Sequence, residues 1–233
     1  MPRREGIVRG RSRCPQCGHE ISALENIPVF GYLALRGRCR HCGARISPRY
    51  PIAEAATAVL FVLAFVHFGV TLRAAVFAAF FWVLVVLTVI DLEHKLLPNR
   101  VVYPSVIAGM IALTVVAFVD GDLDRLRAGG LGALIFGGFL FIVAFIAPAG
   151  MGGGDVKLAV LLGLFLGYAG GVGVVLVGMF LSFAIGALVS TGLMIAGKAG
   201  RKSAVPFGPF LAAGAICGIL WGRSILDVYL GTL

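Results

Sequence analysis

From Ile52 onward, apolar residues run in long blocks separated by short polar breaks, with no sustained alternation of apolar and charged positions. Seven blocks predict helices at approximately 52–68, 74–90, 101–119, 129–147, 156–168, 171–196 and 206–222. A bilayer core about 30 Å thick takes roughly 20 apolar residues per crossing helix. The fifth block is short for that, which implies tilt or a recessed end. The expected fold is therefore an all-α polytopic membrane protein with about seven transmembrane helices. Residues 1–50 break the pattern: they are polar, rich in arginine, and hold four of the five cysteines. They are expected to form a small separate module, leaving 51–233 as the membrane domain. Met1 is followed by Pro2, Arg3 and Arg4 rather than an apolar stretch, so no signal peptide is expected.

Composition excludes an ordinary soluble domain, since 59% of the 233 residues are hydrophobic, 13% are charged and the mean hydropathy is +0.98. The net charge of +9 matters chiefly through its distribution. If the N-terminal module is cytoplasmic, alternation of seven spans puts 16 of the 20 lysines and arginines on the cytoplasmic side, leaving Arg73, Arg125, Arg127 and Arg223 outside. That bias is the one expected of a multi-pass membrane protein with a cytoplasmic module. The basic excess thus reports topology and contact with membrane lipid, and nucleic acid is not an expected partner.

Residues 14–18 read CPQCG and 39–43 read CRHCG. Two Cys-x-x-Cys pairs, each followed by a glycine that permits a tight turn, are the spacing of a four-thiolate zinc knuckle, with Cys14, Cys17, Cys39 and Cys42 as ligands. Such a site is closed and structural, with no open position for a reacting water. His19 and His41 are near enough to compete as ligands, but four cysteines complete the set. A cytoplasmic location disfavours the alternative of two disulfides. Cys217 lies within the last apolar block and reads as a small core residue.

Carboxylates near hydrocarbon are costly, so each one found there is a functional candidate. Asp91 closes the apolar run FFWVLVVLTVI, and Asp155 closes AGMGGGD and opens VKLAVLLGLF. In the seven-span topology both lie at the cytoplasmic face, on segments that a compact bundle can bring together. Two such acids suit hydrolysis: one, ionised, takes a proton from the attacking water while the other, protonated, donates to the developing oxyanion. Like charges held close retain one proton between them. Gly150, Gly152, Gly153 and Gly154 are expected to loosen helix before Asp155 and let an extended substrate approach. Glu54 reads as a structural carboxylate, Glu93 and His94 as solvated loop groups, and Asp120, Asp122 and Asp124 as solvated charges of an external loop. Gly and Ala pairs such as those in GGVGVVLVG are expected to help close helix packing.

These residues resemble the type IV prepilin peptidases. DLEHKLLPN is similar to that family's first aspartate motif and GGGD with VKL to its Gly-x-Gly-Asp motif, while CPQCG, ENIP, LRGRCRHCG, ISPRYP, Glu54 and PFGPF resemble other family elements. The resemblance implies a membrane aspartic endopeptidase with Asp91 and Asp155 as its catalytic pair. It implies prepilin or pseudopilin substrates, of type IV pili or type II secretion, cut after glycine at the cytoplasmic face where a basic leader meets an apolar helix. Bifunctional members also methylate the new amino terminus with S-adenosylmethionine, whose binding residues this sequence does not identify; Gly37 reads as a turn glycine. The family carries an additional apolar span before its cysteine module, whereas here Met1 stands where that span would end. A presenilin-like protease of other substrates shares Gly-x-Gly-Asp but lacks the cysteine module. A small transporter or scaffold would spread its charges along a midplane path, whereas these acids cluster at one edge.

Overall fold

A computed structural model of the chain describes residues 13–14, 16–22, 25, 27–147, 152–197 and 206–231. The described residues contain seven helices and no strand: α1 (Phe30–Ala34), α2 (Arg49–Phe68), α3 (Leu72–His94), α4 (Asn99–Asp120), α5 (Leu123–Ile146), α6 (Gly153–Ile195) and α7 (Gly208–Leu230). The chain divides into two compact units, 1–59 and 60–233, with α2 running from one into the other.

In the first unit each cysteine pair builds the same turn. The amide of Gly18 donates to the carbonyl of Cys14 and that of Cys14 to the carbonyl of His19; Gly43, Cys39 and Ala44 repeat the pattern. Gly18 and Gly43 both sit at φ 69°, the left-handed region that a residue with a Cβ enters at a cost. Isolated bridges Arg13 to Glu20 and Arg38 to Arg45 close the two knuckles.

In the second unit the ends of the helices follow local chemistry. Thr71 caps α3 by accepting the Ala74 amide, and Asp122 caps α5 by accepting the Arg125 amide. Gly121 ends α4 in the left-handed conformation. Lys95 ends α3 the same way at φ 52° although it carries a side chain. Six helices, α2 to α7, are long and apolar enough to cross a membrane. The longest, α6, has 43 residues and is broken at Gly170 and Gly171, whose backbone is not helical. A Cβ on Gly178 would meet Leu166 Cδ2 at 2.7 Å, although the two residues are twelve apart in sequence. On a straight helix they would be about 18 Å apart, so the chain reverses at the break. Its halves, α6a before Gly170 and α6b after Gly171, match the fifth and sixth apolar blocks, and seven crossing segments result.

The centre of this unit is α6a, buried along most of Leu158 to Tyr168. Phe80 of α3 stacks on Phe165 at 3.8 Å between ring centroids and 5° between planes, with Phe77 edge-on to the same ring at 5.4 Å. Elsewhere contact is made backbone to backbone. Gly132 of α5 and Gly163 of α6a leave no room for a methyl group between them, and a Cβ on Gly218 of α7 would stand 2.8 Å from the Cα of Gly178 of α6b. Small residues substitute for a hydrophobic driving force between helices surrounded by lipid, because close approach maximises dispersion contact.

Candidate active site and metal cluster

Among the described residues, the buried polar side chains are Asp91 and Ser182. Ser182 is satisfied by its own helix and by α7, donating to the carbonyls of Gly178 and Leu211. Asp91, 5% exposed, is the buried charged residue. It occupies the last turn of α3, and its Oδ2 accepts the backbone amide of Gly208 at 3.1 Å. Gly208 is the first residue of α7, so an acid at the carbonyl end of one helix is met by the amide end of another.

Asp155 lies in the first turn of α6, half-buried and within electrostatic reach of Asp91. Gly152, at the N-cap, sits against its carboxylate: a Cβ there would be 3.2 Å from Asp155 Oδ2. Leu97 ties the segments together. A Cβ on Gly154 would lie 2.9 Å from Leu97 Cβ, and one on Gly208 would lie 3.6 Å from Leu97 Cδ1 and 2.6 Å from Asp91 Oδ2. Just outside this contact, Lys157 Nζ donates to Asn99 Oδ1 at 2.8 Å and lies 5.2 Å from the centre of the Tyr103 ring. Both aspartate motifs are thus joined on one side of the second unit.

Three expectations need correction. Gly153 and Gly154 are the first residues of α6 rather than loosened chain, and Gly154 serves close approach to Leu97; Gly150 lies outside the described residues. Glu93 and His94 belong to the last turn of α3, not to a loop, because Lys95 ends the helix later than its charge pattern implies. In DGDLD, Asp122 is a helix cap bonded to Arg125 at 2.6 Å rather than a free loop charge; Asp120 and Asp124 are exposed as expected, but each is paired, with Arg73 of α3 and with Arg127. Glu54 accepts the Val29 amide at 2.8 Å within the first unit. Sequence reading missed Gly208 as a partner of Asp91, although PFGPF held a signal in its Gly-Pro helix start.

The four cysteines of the first unit form a compact cluster with all sulfurs within 4.8 Å of one another. Cys14 and Cys42 Sγ are 3.8 Å apart, and Cys17 and Cys39 Sγ 4.0 Å. Tetrahedral zinc with bonds near 2.3 Å needs sulfur separations of about 3.8 Å, so the donor set fits the ion. The amides of Cys17 and then Gln16 hold the Cys14 thiol down to about 6. At Cys42 the Ala44 amide acts in the same direction, but desolvation and the other three sulfurs outweigh it and raise the thiol to about 11. Four thiolates need a cation among them. His19 and His41 pack on each other with ring centroids 3.5 Å apart. Beside the cluster is a cavity of about 680 Å³ whose walls include Tyr32, Leu35, Arg45 and Tyr50.

Fold and sites define a multi-pass helical membrane protein with two aspartates in electrostatic reach of each other and a four-cysteine cluster. A family model described as the Bacterial Peptidase A24 N-terminal domain matches residues 1–68, and one described as the Type IV leader peptidase family matches 78–191. The chain belongs to the type IV leader peptidase family. It is similar to proteins named prepilin leader peptidase/N-methyltransferase: one of Bacillus subtilis, 35% identical over 99% of this chain and 89% of that protein, and one of Pseudomonas aeruginosa, 36% identical over 96% and 76%. Another, of Aeromonas hydrophila, is 38% identical over 94% and 74%. No solved structure matches the chain at a significant level.

Proposed function

We propose that the chain is a membrane aspartic endopeptidase that uses Asp91 and Asp155 to remove the basic leader of type IV prepilins or pseudopilins, after glycine, at the cytoplasmic face of the bacterial inner membrane. The observation that carries this reading is that a buried Asp91 lies within electrostatic reach of Asp155, from a segment far away in sequence, with Leu97 packed between their motifs. One carboxylate takes the proton of the attacking water and the other donates to the carbonyl oxygen, the roles exchanging as the leaving amine is protonated. The basic leader remains on the side of the acids, and the apolar substrate helix supplies the affinity that a basic face cannot. The relatives' names support the substrate class. Replacing Asp91 or Asp155 by asparagine, in membranes supplied with a prepilin, is expected to lower cleavage by about 10³-fold or more with zinc content unchanged. Normal processing by both variants would reject the reading.

Zinc held by Cys14, Cys17, Cys39 and Cys42 supplies folding free energy to the first unit, and no reaction step passes through it. For the relatives' second printed activity, the cavity of the first unit is the proposed binding site. Its volume and mixed walls suit S-adenosylmethionine, with Tyr32 and Tyr50 as faces for an aromatic base and Arg45 for a carboxylate. That compound would supply an activated methyl group for the amino terminus freed by cleavage. Tyr50→Ala is expected to weaken binding of S-adenosylmethionine by the full chain at least about tenfold, a loss of about 1.4 kcal/mol, while cleavage persists. Mass spectrometry of the pilin amino terminus reads both activities at once.

A further inference from the structure

Three separate pieces of chain surround the Asp91 carboxylate: the last turn of α3, Leu97 in the connection to α4, and the start of α7. The first two lie within the first aspartate motif. The third lies 117 residues away and has no side chain. Resting on the endopeptidase reading above, we infer that Gly208 is a positioning residue for the carboxylate pair: its amide fixes Asp91 Oδ2, and its missing side chain leaves the space which that oxygen occupies.

Three observations carry the inference. The Gly208 amide donates to Asp91 Oδ2 at 3.1 Å, and both residues are buried. A Cβ on Gly208 would stand 2.6 Å from Oδ2 and 3.3 Å from Cγ of Asp91, closer than nonbonded carbon and oxygen tolerate. Any side chain would therefore displace the Asp91 carboxylate or push α7 outward. α7 cannot easily be pushed. Val174, Gly178 and Ser182 of α6b meet Gly222, Gly218 and Gly214 of α7 in steps of four residues, and Gly186 faces Phe210 at the end nearest the acid. Pro209, at the second position of α7, fixes the helix start without needing an amide donor. The N-terminus of α7 is thereby set on the side chain of Asp91, where it offsets the unfavourable carbonyl end of α3.

Gly208 does not touch substrate in this account, so its effect should fall on turnover rather than on binding. In the full chain, Gly208→Ala is expected to lower kcat for prepilin cleavage about 100-fold, as a displacement of roughly 1 Å does, with KM changed less than about threefold. Gly208→Pro, which also removes the amide, should lose at least as much. Gly192→Ala, on α6b with open space beside it, serves as the control and should cleave normally. The second readout is thermal unfolding in detergent. Gly208→Ala should lower the melting temperature when Asp91 is present and leave it unchanged when Asp91 is alanine, because the collision is with the carboxylate. Wild-type turnover by Gly208→Ala overturns the inference. So does equal destabilisation, or equal failure to fold, in both backgrounds. Normal cleavage by both Asp91→Asn and Asp155→Asn would instead reject the endopeptidase reading, while the melting temperatures of the two backgrounds still test the contact on their own.

Discussion

Glu54 and Asp91 are both carboxylates within long apolar helices, and their neighbours assign them different work. Glu54 accepts the amide of Val29, a β-branched residue held at φ 63°, where backbone strain requires outside support. It reads as the clamp of a strained turn. Glu54→Gln, which keeps an acceptor oxygen, should leave prepilin cleavage within about threefold of wild type, in contrast with the asparagine variants of Asp91 and Asp155. A loss of cleavage as deep as theirs would make Glu54 a third reacting acid. What was legible at this scale was the residue type. Aspartates at the ends of apolar runs announce themselves because their cost in hydrocarbon is high. The donor on Asp91 was hidden because a backbone amide has no residue-type signature, and glycine beside proline resembles any helix start. The roles in DGDLD were half hidden: a cap and a solvated charge are the same residue until the helix boundary is known.

At the level of helices, the two carriers of the site are set by different means. α6a, which bears Asp155, is pressed onto α5 through Gly132, Gly163 and Gly167, where a methyl group on either side would strike the other backbone. Gly163→Leu is therefore expected to abolish folded protein, whereas Gly130→Leu, on the same α5 but facing open space, should be tolerated. Fluorescence size-exclusion profiles of the two variants distinguish them, and equal behaviour would refute the proposed packing. α4 is set against α6a by Gly109, which packs on Phe165 and Leu161, and near the acids by a lighter contact, the hydrogen bond from Lys157 to Asn99. Lys157→Met should keep the fold and lower turnover by about tenfold through a looser meeting of the aspartate motifs, measured as kcat on a prepilin substrate. The existence of these helices was readable from hydropathy, since lipid demands uninterrupted apolar length. Their pairing was not, because glycines at steps of three and four recur on several helices and hydropathy does not say which of them face one another.

The whole molecule comprises two units that are ordered by different means. The first owes its order to two glycine turns and four sulfurs rather than to a core, so removal of zinc should act there and spare the rest. Limited proteolysis of the full chain in detergent is expected to cleave within residues 13–50 after treatment with a strong chelator, while circular dichroism retains most of the helical signal. Cleavage spread through both units would contradict that independence. In the sequence, this division showed as a change from polar to apolar composition, and the four cysteines revealed the cluster because metal spacing is a local property. The break at Gly170 and Gly171 has a consequence of parity. A continuous rod of 43 residues would be about 65 Å long, twice what a bilayer spans, and would contribute a single passage. By folding it in two, a pair of adjacent glycines changes the count of passages from even to odd, and so chooses the surface from which the last helix sets out. With one passage fewer, PFGPF would begin on the far side of the lipid, a membrane's width from the acid whose oxygen its amide now holds.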